Sequence, residues 1–239
     1  MVLAIRIDID NPFGLSSRFR RQLNRISINY GLIPRWARLG YLNNAISLRT
    51  WLTNKGVPTT WFFRTVSCPT KSLLPLFTQE GNQINLHAER TSSLEDFANE
   101  VRLWETICST KVTGFTKHGS GKLKLSRMHD PRYDPADLMH YGKSLNLEYF
   151  IGNGMDYKDP FVKEDGFLYV PAVFWLDRIE HYGSAAALKQ LIDDSTDYPA
   201  IVLVHPVWWM HQPDVRKNLK WLVENAEFTS IQNLLFSRF

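Results

Sequence analysis

The feature that most constrains this chain is a repeated alternation. Short apolar runs, most of them stopping at a polar or titratable residue, are separated by longer amphipathic stretches. The runs at residues 3–10, 59–65, 83–89, 112–117, 149–152, 168–174 and 201–205 are rich in Ile, Val, Phe and Leu and bounded by Gly, Pro or Asn, which predicts strands. Helices are predicted over 36–54, 94–107, 135–144 and 214–224. Within 94–107, Leu94, Phe97, Val101 and Trp104 recur at helical spacing. Strand, helix, strand in this rhythm predicts a parallel sheet or an α/β barrel. Seven strands in 239 residues suit a barrel, so residues 1–239 read as one domain. One segment breaks the rhythm: residues 11–34, after the first strand, read as an irregular basic insertion carrying Arg18, Arg20, Arg21 and Arg25. It is either a lid or a solvated loop.

Composition closes off several classes. Hydrophobic residues at 44% and charged residues at 22% exclude a disordered or fibrous chain. A net charge of +4 is too small to point to nucleic acid and is compatible with anionic substrates. No run approaches the ~18 apolar residues of a membrane span. The apolar start is cut by Arg6 and Asp8, unlike a secretory signal, so the expected location is the cytoplasm. The two cysteines, Cys68 and Cys108, form neither a disulfide framework nor a CxxC metal pair.

Chemistry in parallel α/β folds collects at the C-terminal ends of the strands. The first strand ends Arg6-Ile7-Asp8-Ile9-Asp10, and period two puts Arg6, Asp8 and Asp10 on one face. Two carboxylates there repel unless a cation or a proton lies between them. Other runs end in Arg64, in His87-Ala88-Glu89, in Lys117-His118-Gly119, in Gly152-Asn153-Gly154 and in His205-Pro206, with Trp208 and Trp209 just beyond. Singly, such an Asp caps a turn and such a His is a hydrogen-bonded core residue; together they form a constellation. Gly119-Ser120-Gly121-Lys122 fails as a phosphate loop, because no Gly stands at 116 and Leu123 replaces the required Ser or Thr.

In that order and placement the motifs resemble the polysaccharide deacetylase family, metal-dependent carbohydrate esterases built on a distorted (β/α) barrel. The resemblance runs from Ile5 to about Trp209. Ile7-Asp8-Ile9-Asp10-Asn11 is similar to the family's first motif, which implies Asp8 as catalytic base and Asp10 as metal ligand. Gly81 to Ala88 is similar to the second, with His87 on a ligand histidine. Gly114-Phe115-Thr116-Lys117-His118-Gly119 is similar to the third, and Leu203-Val204-His205 to the last, whose His is the general acid. The resemblance therefore implies a zinc hydrolase of carbohydrate metabolism, with sugar-facing groups such as Arg64, Lys117, Trp208 and Trp209. Two positions depart from the pattern. Thr91 stands where the second ligand His belongs, so the third ligand is expected from His118 first, then Glu89, then His129. Thr116 stands where an arginine orients the base, a role left to Arg6, Arg64, Arg90 or Lys117.

The expected function is metal-dependent removal of an acyl group, acetyl foremost, from a sugar or glycan precursor. Two alternatives remain open: a non-catalytic glycan-binding or scaffold protein that has lost the metal, and a metal amidohydrolase of a non-sugar C–N bond. Residues 111–132 hold six cations against Asp130 alone, so an anionic substrate is also expected.

Overall fold

A computed structural model describes residues 2–30, 35–119, 123–155, 160–194 and 198–238. Part of the expected insertion, 31–34, and Ser120, Gly121 and Lys122 lie outside the described residues. The chain begins with β1 (Val2–Ile9), α1 (Arg18–Tyr30), α2 (Asn43–Thr53), β2 (Thr59–Phe63), α3 (Leu74–Thr78), β3 (Gln83–Ala88) and α4 (Leu94–Cys108). It continues through β4 (Gly114–Lys117), α5 (Pro135–Ser144), β5 (Tyr149–Gly154), β6 (Val162–Glu164), β7 (Phe167–Ala172) and β8 (Phe174–Trp175). The last third holds α6 (Ala185–Asp194), β9 (Ile201–Val204), α7 (Pro206–His211), α8 (Pro213–Asn225), β10 (Glu227–Thr229) and α9 (Ile231–Arg238).

The strands form one sheet in the order β6-β7-β5-β4-β3-β2-β1-β9-β8, with β10 on the start of β1. Every pairing is parallel except β6 with β7. β7 pairs with β5 at one edge and β8, one residue further along the chain, pairs with β9 at the other. The sheet thus curls back on itself, which makes the fold a distorted (β/α) barrel.

Alternation along β1 sorts its side chains between two cores. Leu3, Ile5, Ile7 and Ile9 face the surrounding helices. Ala4 belongs to an inner cluster with Phe62, Tyr149, Ile151, Val170 and Leu203. Ile231, Leu234 and Leu235 of α9 join that inner cluster and plug the N-terminal end of the strands. The inner face of β1 therefore runs from apolar at the plugged end to Arg6 and Asp8 at the open end, so all its polar chemistry is directed to one mouth.

The insertion is not irregular throughout. Residues 18–30 form α1, with Leu23, Asn24 and Ser27 buried on one side. Asn24 fixes the helix to the end of β1: its Oδ1 accepts the Phe13 N–H at 3.0 Å and its amide donates to the Gly14 carbonyl at 2.5 Å. Two of the three buried positions are polar, so apolar periodicity is a poor guide to this helix.

Candidate metal centre

β3 and β4 are in register with His87 opposite Thr116, so His118, two residues further, emerges beside the end of β3. Gly119 follows at φ +65, a left-handed turn in which a Cβ would lie 2.6 Å from Leu125. β1 delivers Asp10 from across β2. The three side chains converge: His87 Nε2 lies 3.1 Å from Asp10 Oδ1, His118 Nδ1 lies 3.0 Å from the same oxygen, and the two ring nitrogens are 3.2 Å apart. Bonds of about 2.0–2.1 Å in a tetrahedron give ligand–ligand edges of about 3.3 Å. The spacing and the donor types, one carboxylate and two imidazoles, fit a zinc-like cation. Three protein ligands would leave a fourth position open.

The surrounding groups fix which atoms face inward. His87 Nδ1 lies 2.6 Å from the Thr116 hydroxyl. If it carries the ring proton, Nε2 keeps its lone pair for the cation, as outer partners of metal histidines commonly arrange. His118 is buried, and burial together with the Arg64 guanidinium pushes its pKa down to about 4 despite the Asp10 carboxylate. It is therefore neutral at pH 7, the form a metal requires. Burial raises the Asp10 carboxyl, but His118 and His87 outweigh it and hold the group well below the usual range.

The other expected ligands are committed elsewhere. Glu89 accepts from Arg64 at 2.6 Å and from Ser126 at 2.8 Å, and that arginine overcomes burial to bring its pKa to about 2. His129 Nε2 lies 2.7 Å from the His118 carbonyl, and its Nδ1 accepts the Leu125 N–H. Thr91 is buried, and its hydroxyl has no hydrogen-bond partner among the described residues. Two side chains expected at the substrate are buried and turned to the protein. Arg64 donates to the Asp10 carbonyl and to Glu89, and Lys117 donates to the carbonyls of His118 and Asp130. Trp209 packs on Trp51 at 6.0 Å and beneath Arg216, whereas Trp208 is partly open to solvent.

Asp8 stands just outside the donor cluster, its Oδ2 3.7 Å from His87 Nε2. Arg6 grips it with a two-pronged bond of 2.9 and 2.5 Å. Arg6 also donates to the Gly152 carbonyl and to Asn153 Oδ1, each at 2.7 Å, so every nitrogen of the buried guanidinium has a partner. Gly152 itself is set by the neighbouring strand: a Cβ there would lie 2.3 Å from the Pro171 carbonyl oxygen and 2.7 Å from the Tyr133 hydroxyl. Burial raises the Asp8 carboxyl, but Arg6 outweighs it, and the group stays ionised. Of the four side chains expected to orient Asp8, Arg6 is the one hydrogen-bonded to it among the described residues.

On the far side of the mouth, His205 ends β9. Its Nε2 lies 3.6 Å from Asp10 Oδ2, and its Nδ1 is hydrogen-bonded to Asp177. Asp177 also accepts the His205 backbone N–H, at 3.1 Å. Burial pulls the His205 pKa down, but Asp177 more than reverses this and carries it up to about 9. Asp177 is the site residue that sequence reasoning missed. It stands directly after the two-residue β8 in Phe174-Trp175-Leu176-Asp177, and ending that strand at residue 174 left its polar terminus unread. A narrow pocket of about 10 Å³, room for about one water molecule, lies beside Asp8, Asp10 and His205 and is walled by Leu42, Ala45 and Val207.

No protein-family model matches the chain, and no curated protein matches it by sequence. Solved structures do match it in shape. A putative polysaccharide deacetylase from Mycobacterium smegmatis superposes with a TM-score of 0.63 at 12% identity, over 99% of this chain and 89% of that one. A probable polysaccharide deacetylase from Pseudomonas aeruginosa PAO1 gives 0.57 at 12% identity, over 97% and 89%. The fold is that of the polysaccharide deacetylases. The same architecture serves Puue allantoinase, with a TM-score of 0.61 at 12% identity over 98% of this chain and 88% of that one. At such identities the likeness speaks for the architecture, and the site must be argued from its own residues.

Proposed function

We propose that the protein is a metal-dependent hydrolase that removes an acyl group, acetyl foremost, from a sugar or glycan precursor. The reading rests on one arrangement: an ionised Asp8 and a protonated His205 flank the Asp10–His87–His118 cluster at a single mouth. Asp10, His87 and His118 would hold zinc. Bound there, the cation would lower the pKa of water and polarise the substrate carbonyl. Asp8 then takes the proton of the attacking water. Arg6 holds that carboxylate in place and keeps it ionised until the proton arrives. His205, charged at pH 7, donates a proton from Nε2 to the departing sugar nitrogen or oxygen. Asp177 holds the other ring nitrogen and so aims that proton at the mouth. Trp208 offers a partly exposed ring on which a sugar can lie.

A second reading has its own support. The likeness to an allantoinase structure keeps hydrolysis of a non-sugar amide in play, with the same residues in the same roles. Zinc-loaded protein assayed on N-acetyl sugars, sugar esters, and cyclic and linear amides separates the two. Acetate release from sugars supports the first reading and turnover of amides alone the second. No turnover of any of them, with zinc bound, would overturn both, and protein that takes up no zinc would point to the scaffold that has lost the metal.

A further inference from the structure

The end of the barrel that carries the site is also where its exposed apolar side chains gather. Among the described residues nine large hydrophobic side chains are exposed, and seven lie in the segments between β1 and α2, between β4 and α5, or directly after β9. Phe19, Tyr30 and Trp36 lie between β1 and α2; Leu123, Leu125 and Met128 lie between β4 and α5; Trp208 follows β9. Leu123 is 77% exposed and Phe19 63%. Burying such tips in water-excluding surroundings is favourable, and an apolar patch of this kind marks an interaction surface. The two larger groups belong to one face, because the Arg127 N–H donates to Asn29 of α1 at 3.0 Å.

Charge follows the same face. Residues 11–40 and 123–129 together hold eight arginines and lysines and no acid, which leaves 20 cations against 24 acids in the rest of the chain. Arg18, Arg21 and Arg25 stand exposed on α1, and Lys124 and Arg127 on the facing loop. Among the described residues none of these five pairs with a carboxylate. Cations interleaved with apolar tips match a surface of anionic headgroups over acyl chains. Four of the seven tips are aromatic and could carry a sugar as well as meet lipid; the three aliphatic ones, Leu123, Leu125 and Met128, offer a sugar no face, and it is these that favour lipid. No helix of the described residues is long and apolar enough to cross a membrane.

We propose that this end of the barrel docks on the surface of an anionic lipid bilayer, arginines at the phosphates and apolar tips at the acyl boundary. The inference goes beyond the hydrolase reading and does not depend on it, because its test reads binding alone. The full chain is sedimented with phosphatidylcholine vesicles with and without phosphatidylglycerol. Binding should require phosphatidylglycerol and weaken as salt rises. Arg21→Glu with Arg25→Glu should weaken it roughly tenfold or more. Leu123→Ser with Leu125→Ser should weaken it without altering the far-ultraviolet circular dichroism. Brominated lipid should quench tryptophan emission in the parent and less in Trp36→Phe. No binding to either vesicle, or binding unchanged in both paired variants, would overturn the proposal. So would retention on an anionic polysaccharide such as polygalacturonate with none on vesicles, which would assign the face to a glycan.

Discussion

Two buried histidines at the same mouth are given opposite charges. His118, beside the end of β3, is neutral with its pKa pushed down to about 4. His205, at the end of β9, is protonated with its pKa pushed up to about 9. Both rings lie near one carboxylate, Asp10, at 3.0 and 3.6 Å. Burial opposes the charged form in both, so neither burial nor that shared neighbour decides between them. Burial prevails at His118, helped by a nearby cation, and is overcome at His205 by a second carboxylate. His118 has the Arg64 guanidinium nearby, which disfavours a second positive charge. His205 has Asp177 on its far nitrogen. The β3–β4 side is thereby suited to give lone pairs to a cation, and the β9 side to give a proton to a leaving group.

Removing a ring from each side is the strongest way to break this comparison. His118→Ala should lower zinc affinity by more than the ~10–100-fold that loss of an outer orienting partner costs, and activity should vanish with the metal. Competition against a zinc chelator measures it, and unchanged affinity would remove His118 from the ligand set. His205→Asn should act in the opposite manner. Zinc affinity should hold while kcat falls about 10²–10⁴-fold, the usual worth of a positioned general acid. If His205→Asn loses zinc as His118→Ala does, the two sides do not have separate tasks.

Much of this division was legible in the sequence, because strand ends are where buried apolar runs must stop. The run ending His87-Ala88-Glu89 and the run ending Lys117-His118 sit on neighbouring strands, which brings their terminal side chains together in any parallel sheet. Period two likewise placed Arg6, Asp8 and Asp10 on one face of β1. What could not be read was how each group is supported. The grip of Arg6 on β5 joins residues 146 and 147 positions apart. The Asp177–His205 pair joins β9 to a two-residue strand too short to show a pattern. Helix α1 turns an asparagine and a serine inward, so its apolar periodicity is weak where its structural role is strong.

A finer test of the β3–β4 side concerns Thr116, whose hydroxyl meets His87 Nδ1 at 2.6 Å. Thr116→Val keeps the side-chain shape and removes the partner. Zinc affinity should drop about 10–100-fold, with the circular dichroism spectrum unchanged. Serine at the same position should restore it. Equal affinity in Val and Thr forms would show that packing alone orients the ring.

The smallest expected effect sharpens the comparison most, because it moves one histidine toward ordinary behaviour without touching the other. In zinc-free protein, the ring-proton shifts of His205 should titrate near 9 and those of His118 near 4. Asp177→Asn should bring His205 down toward the unperturbed ~6.5 and leave His118 where it was. Stability should follow. A His whose folded pKa is raised stabilises the fold fully below its unfolded pKa, and that contribution is lost as pH rises through about 9. A His whose folded pKa is lowered stabilises the fold above its unfolded pKa, and that contribution is lost as pH falls through about 4. The thermal midpoint of the zinc-free parent should therefore decline on both sides, and Asp177→Asn should flatten only the alkaline decline. A variant that declines at high pH as steeply as the parent would mean that Asp177 is not what holds the proton on His205. The opposite charges of the two rings would then need another cause.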